Sequence, residues 1–209
     1  MTRAVSDSTP VAARAPVGDM LLLVRHGETM ANRRRHLLGR ADPPLTSTGW
    51  EQASALAAWL PRPDVLISSP LLRARQTAGV LGPHVQIDDR WIELDYGPYD
   101  EQPADAMAPE MWARWRAETE FTPPGVEPHA SLASRVAEAC EELAEDARSS
   151  VVVVVTHVSP IKAALAWALG VTHQIAWRMF VEDASVSRID IESSGPAVRW
   201  FNRNGGSSS

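Results

Sequence analysis

Apolar residues in this chain fall into two patterns. Met20 to Val24 and Val151 to Val155 are continuous apolar runs, the signature of strands buried on both faces. Val65 to Ile67 reads as a second strand in chain order and Val85 to Ile87 as a weak third. Ser185 to Ile191 and Ala197 to Phe201 read as edge strands. Between these runs the apolar spacing is helical. Ala53, Leu56, Ala57 and Leu60 share one face of a helix that Thr48 and Glu51 open as a capping box and Pro61 ends. Ser69-Pro70 predicts a second helix start, and Ser131 to Ala147 a long helix. Ser159-Pro160 predicts a last helix, which Gly170 closes after Leu169. From Trp91 to Pro128 the pattern is irregular apart from a helix over Pro109 to Glu118, as in a lid or binding insertion.

Strands alternating with helices predict an α/β fold with a mostly parallel sheet, whose site lies beyond the carboxyl ends of the strands. One domain over residues 18–201 is expected, with a lid-like insertion at about 98–130. Residues 1–17 read as a loose arm without the apolar core of a signal peptide, and 202–209 as a flexible tail.

Composition narrows the function classes. The 209 residues are 44% hydrophobic and 22% charged, which excludes a mainly disordered chain. A net charge of -6 argues against a nucleic-acid partner, and no apolar run approaches the ~20 residues of a membrane span. The single cysteine, Cys140, permits no intramolecular disulfide, and a cytoplasmic location is expected. The histidines fit no zinc-binding spacing, so neither metal nor cofactor is expected. Lys162 is the only lysine.

Chemistry concentrates where strands end. Arg25-His26-Gly27-Glu28-Thr29 follows the first strand, Ser68 to Arg73 the second, and Thr156-His157-Val158-Ser159-Pro160 the clearest one. Two histidines and two arginines would thus meet helix N-termini in one crevice, which suits a phosphate group. Arg73 and Arg75 cannot both face it, and Arg73, one turn before Thr77, is the better placed.

These segments resemble the histidine phosphatase superfamily, the phosphoglycerate mutase-like fold. The likeness covers Leu23 to Thr29, Asn32, Gly39 to Thr46 with Gly49, Ser68 to Ala78, Glu93 to Gly97, and Pro124-Gly125 with Glu127 and Arg135-Val136. It departs at Tyr99-Asp100-Glu101, where the family often has an aromatic residue, Glu and Gly, and at Val158-Ser159 in place of glycines.

The resemblance implies a three-layer α/β/α sandwich and phosphoryl transfer through a phosphohistidine. In that reading His26 attacks, Arg25, Arg73 and His157 hold the phosphoryl oxygens, and Glu93 is the acid. Asn32, Ser159, Gly39 and Arg40 are further candidates for binding substrate. Asp95 is an alternative acid, and Asn32 either contacts phosphate or only ties down its loop. Arg33-Arg34-Arg35 is either a solvated run or a reader of a second anionic group. Trp112 and Trp115 either pack the insertion helix down or wall the substrate. The implied activity is a small-molecule phosphomonoesterase, monomeric or homodimeric. A phosphoglycerate mutase is the alternative, although such mutases have longer chains and a basic residue directly after the acid. A non-catalytic phosphate-binding scaffold is the third reading.

Overall fold

The structure, a computed structural model, describes residues 20–205. The expected arm at 1–17 and the end of the tail at 206–209 lie outside the described residues.

In chain order the elements are β1 (Met20–Arg25), α1 (Met30–Arg33), α2 (Ser47–Trp59), β2 (Val65–Ser68), α3 (Leu72–Leu81) and β3 (Gln86–Ile87). Then follow α4 (Pro109–Ala117), α5 (His129–Asp146), β4 (Val151–Thr156), α6 (Val158–Leu169), β5 (Val186–Glu192) and β6 (Gly195–Arg203). The strands form one sheet in the order β3-β2-β4-β1-β5-β6, parallel except for β5 and β6.

The continuous apolar runs are explained by burial on both faces. Leu22 and Val24, with Val153 and Val155, face Leu56 of α2 and Ala74 and Ala78 of α3. Leu21, Leu23, Val152 and Val154 face the other way, against Val136 and Ala139 of α5 and Ile161 and Leu165 of α6. Each fully buried Leu or Val adds about 1.5–3 kcal/mol by leaving water. Two helical layers therefore clasp one sheet.

Local signals misplace several boundaries. α2 is capped two residues before Thr48, because the Thr46 hydroxyl takes the Gly49 N–H (3.1 Å), and Thr48 instead accepts from Arg33. α3 starts at Leu72 rather than at Pro70; its Leu72 N–H donates to Asp42 Oδ1 at 2.5 Å, a cap thirty residues away in sequence. α5 starts at His129 rather than Ser131, and α6 at Val158, which makes His157 its N-cap. β6 runs on through Asn202 and Arg203, which were expected in the tail.

The connection after β1 goes to β2 on one side, and the connection after β4 goes to β5 on the other. Neighbouring strands whose exits diverge leave a crevice at their carboxyl ends. Its floor depends on a close backbone approach: a Cβ on Gly49 would stand 2.3 Å from the Glu28 carbonyl oxygen, and one on Gly27 2.4 Å from that of Gly49. Gly49→Ala should therefore lower stability by roughly 2 kcal/mol, the usual scale for overpacking against backbone. Urea denaturation checks this, and an unchanged midpoint would contradict the packing described.

Candidate active site at the carboxyl ends of β1, β2 and β4

Register brings the two histidines together. β1 and β4 pair in parallel with Arg25 opposite Thr156, so the next residues, His26 and His157, emerge side by side. The His26 N–H donates to Thr156 O (3.0 Å), which carries the ladder one step past the strand. The ring centroids are 5.1 Å apart. Nδ1 of His26 lies 2.7 Å from the Gly27 carbonyl. A carbonyl can only accept, so Nδ1 carries the proton and Nε2 keeps its lone pair. Burial, then the charges of Arg73 and Arg25, hold the His26 pKa well below the ordinary imidazole value. The ring is thus neutral near pH 7. The His157 pKa is pushed down for the same reasons, burial first. His157 Nε2 shares a hydrogen bond with the Ser69 hydroxyl (2.6 Å), and Nδ1 has no partner among the described residues.

Arg73 is fully buried beneath the histidines. It donates from Nε to His26 Nε2 (3.2 Å), from Nη1 to Ala41 O (2.7 Å) and from Nη2 to Gly39 O (2.8 Å). None of these acceptors is a carboxylate. Burial lowers its pKa to about 10, which still leaves it cationic at neutral pH. Arg25 differs: Nη1 donates to Val181 O and Nη2 pairs with Asp183 at 2.7 Å, while Nε is buried without a partner among the described residues.

Glu93 is 4% exposed. Its Oε1 accepts the N–H groups of Leu94 (2.7 Å) and Ser159 (3.2 Å), and Oε2 lies 3.4 Å from Ser159 N. The donor from Ser159 belongs to the first turn of α6, where free N–H groups favour a carboxylate. The Glu93 carbonyl is held from behind by Arg40 Nε (3.0 Å) and Arg135 Nη2 (3.4 Å).

Five of the residues singled out by sequence, His26, His157, Arg73, Arg25 and Glu93, are therefore gathered in one buried cluster. The others are engaged in its walls. Gly39 accepts from Arg73 through its carbonyl and gives its N–H to Asp100. Arg40 reaches the Glu93 carbonyl and Glu127. Asn32 Oδ1 takes the Thr29 N–H and hydroxyl, which ties down the loop. Ser159 holds Glu93 through its backbone. Asp95 Oδ1 accepts the Gly97 N–H (2.8 Å) and so caps a turn. Arg33 pairs with Glu28, whereas Arg34, Arg35 and Arg75 are exposed. Trp115 is buried and stacks on His129, which packs α4 down. Trp112 stacks on Trp115 and also lines a cavity beside Ser159.

Some residues escaped the sequence reading. Asp100 accepts the N–H groups of Gly39 and Ala41, both at 2.7 Å, and so fixes the two carbonyls that grip Arg73. The departure from the family pattern at that position is thus a supporting carboxylate. Glu127 binds Arg135 through both oxygens and accepts the Asp95 N–H, which braces the Glu93 loop. Thr77 takes the Gly27 N–H (3.1 Å). The only available signal for Glu127 and Arg135 was their place in a motif block, which carries no geometry.

Comparison with known proteins identifies the family. A sequence model of the histidine phosphatase superfamily (branch 1) matches residues 21–204. The chain belongs to that superfamily. A bifunctional protein of Mycobacterium tuberculosis is 34% identical over 196 residues, covering 88% of this chain but 54% of the relative. The chain thus spans about half the length of the first relatives it matches. Phosphoserine phosphatase 1 of Hydrogenobacter thermophilus is 35% identical over 194 residues, covering 87% of this chain and 91% of that protein. Among solved structures, a mycobacterial glucosyl-3-phosphoglycerate phosphatase in complex with VO3 superposes with a TM-score of 0.80 at 28% identity, covering 90% of this chain and all (100%) of that one. Among the described residues, no helix of this superfamily member is long and apolar enough to cross a membrane.

Buried neutral histidines make the stability of this superfamily member depend on pH. His129, whose pKa burial lowers to about 4, is held neutral in the same way as His26 and His157. Below the free-imidazole value of about 6.5 the unfolded chain binds protons that the folded chain refuses. Stability is therefore undiminished above that value and falls with pH, by up to ~1.4 kcal/mol per unit for each such group. For His129 the window extends down to about 4. Urea denaturation at pH 7 and pH 5 should show a smaller loss for His129→Phe, which keeps a ring against Trp115, than for the parent chain. Equal losses would show that His129 does not titrate on unfolding.

Proposed function

We propose that the chain is a phosphomonoesterase that works through a phosphohistidine on His26, without a metal, on a small phosphorylated metabolite. The observation that carries this reading is the presentation of His26: buried, neutral, with Nδ1 committed to a carbonyl and Nε2 facing a guanidinium. A neutral imidazole with a directed lone pair is a nucleophile. The relatives named as phosphatases support it.

The steps balance as follows. His26 Nε2 forms a bond to phosphorus while the ester P–O bond breaks, and Glu93 gives its proton to the departing oxygen. Arg73, Arg25 and His157 take up the charge on the equatorial oxygens. Arg73 Nε–H shifts from Nε2 to a phosphoryl oxygen as the nucleophile is used. Glu93, now a carboxylate, takes a proton from water as that water displaces His26 and frees phosphate. Oε1 accepts the shorter bonds, from Leu94 and Ser159 N–H, and Oε2 only a 3.4 Å contact from Ser159, so Oε2 is the oxygen proposed to carry the proton.

His26→Ala should abolish turnover with the fold intact. Glu93→Gln should slow alkyl phosphates by about 10²–10⁴-fold, the range for loss of a general acid, and nitrophenyl phosphate far less, since that leaving group needs little protonation. Equal losses on both would assign Glu93 a structural role. Hydrolysis is proposed over mutase transfer because Glu93 is followed by the fully buried Leu94 and by Asp95, which is turned into its own loop. With 3-phosphoglycerate and a trace of 2,3-bisphosphoglycerate, phosphate release should outpace isomer formation. Isomerisation much faster than phosphate release from any tested monoester would make the chain a mutase.

A further inference from the structure

A cavity of about 70 Å³ is lined by Ser159, the residue whose N–H binds Glu93. Tyr96, Trp112, Trp177 and Lys162 of α6 line it as well. Because the acid delivers its proton to the departing oxygen, the alcohol part of a substrate lies on the Glu93 side. The cavity adjoins that side through Ser159. Resting on the phosphatase reading, we propose that the cavity receives the leaving group and that Lys162 recognises a carboxylate on it. The substrate class is then a phosphate ester of a compact hydroxy acid.

Three observations converge. Lys162 is the only lysine in the chain, and it makes no hydrogen bond or ion pair among the described residues. It is half-buried, and burial lowers its pKa, so it sits where a cation is poorly solvated. Glu93, the carboxylate that most favours its charge, is already occupied by two backbone N–H groups. A buried charge is costly unless paired, and a ligand carboxylate would supply the missing pair.

The walls are also fixed in place. Trp112 donates from Nε1 to Ala104 O (2.9 Å) and stacks on Trp115 at 5.4 Å, while Trp177 meets Trp112 edge-on at 6.2 Å. Apolar, immobile walls strengthen an ion pair and leave little room: at ~10–15 Å³ for each water, the cavity admits only a small group. His129, which lines the same cavity, is neutral at pH 7.

The test compares two esters of one carbon skeleton, 3-phosphoglycerate and glycerol 3-phosphate, bound to the His26→Ala chain, which cannot turn them over. Calorimetry should give at least roughly tenfold tighter binding of the carboxylated ester, the scale of a charged hydrogen bond. Adding Lys162→Met should remove that difference, chiefly by weakening 3-phosphoglycerate, and Lys162→Arg should keep most of it. Equal affinities before the lysine change, a preference that survives Lys162→Met, or no binding of either ester would overturn the proposal and leave Lys162 as a stem covering apolar surface. Hydrolysis of nitrophenyl phosphate by the unaltered chain is scored separately and tests the phosphatase reading alone.

Discussion

A positive charge without a carboxylate partner organises this molecule. Arg73 lies wholly within the protein, yet its three contacts are two carbonyls and an imidazole nitrogen. Desolvating a guanidinium is expensive, and neutral acceptors repay only part of the cost. The surroundings therefore supply distant compensation: Glu93, Asp42 and Asp100 all favour its charged form. The two aspartates have a second, structural task. Asp42 caps α3, the helix that carries Arg73, and Asp100 fixes the loop whose carbonyls grip it. The residual field points at His26, which burial first and this charge second keep neutral, and at whatever anion approaches His26.

The two arginines of the crevice consequently do different jobs. Arg25 has a carboxylate, Asp183, and a carbonyl from the segment leading into β5, which anchors the start of that strand to the end of β1. Its remaining donor, Nε, is free to face a ligand. Arg73 instead offers nearly its full charge. Preorganised donors of this kind need no rearrangement when charge develops on a phosphoryl group. Glu93 is braced separately, from behind by Arg40 and Arg135 and in front by α6, so the proposed acid and the proposed nucleophile hang on different supports.

What could be read in the chain beforehand was whatever depended on short range. β1 and β4 announce themselves because strands buried on both faces leave no polar positions, and the residues that follow them, His26 and His157, were placed correctly on that ground alone. Helix starts were read less well. Ser69-Pro70 looks like a cap, but the Ser69 hydroxyl is drawn to His157, and Asp42 caps α3 from another loop. The Thr48–Glu51 box is locally sound, yet Thr46 displaces it because its hydroxyl also meets Glu28. Gly39 and Arg40 were assigned to ligand because they sit in a motif; only the folded chain shows that they serve Arg73 and Glu93. The role of Asp100 had no legible signal, since it acts on Gly39 and Ala41, about sixty positions away, and Glu127 had only its place in a motif block.

The pairing of β1 with β4 also bears on how the protein comes into being. Arg25 and Thr156 are opposite one another although 131 residues separate them in sequence. Side chains alternate faces along a strand, so a slip of one residue would send one of the two imidazoles into the opposite helical layer. No slipped or half-zipped arrangement can hold both rings over Arg73. His26 precedes β4 in the chain, yet its burial and its place beside His157 require the valine run of β4 to lie between β1 and β2. The environment of the His26 ring is thus a property of the completed sheet, created by the same hydrogen-bond ladder that fixes the register.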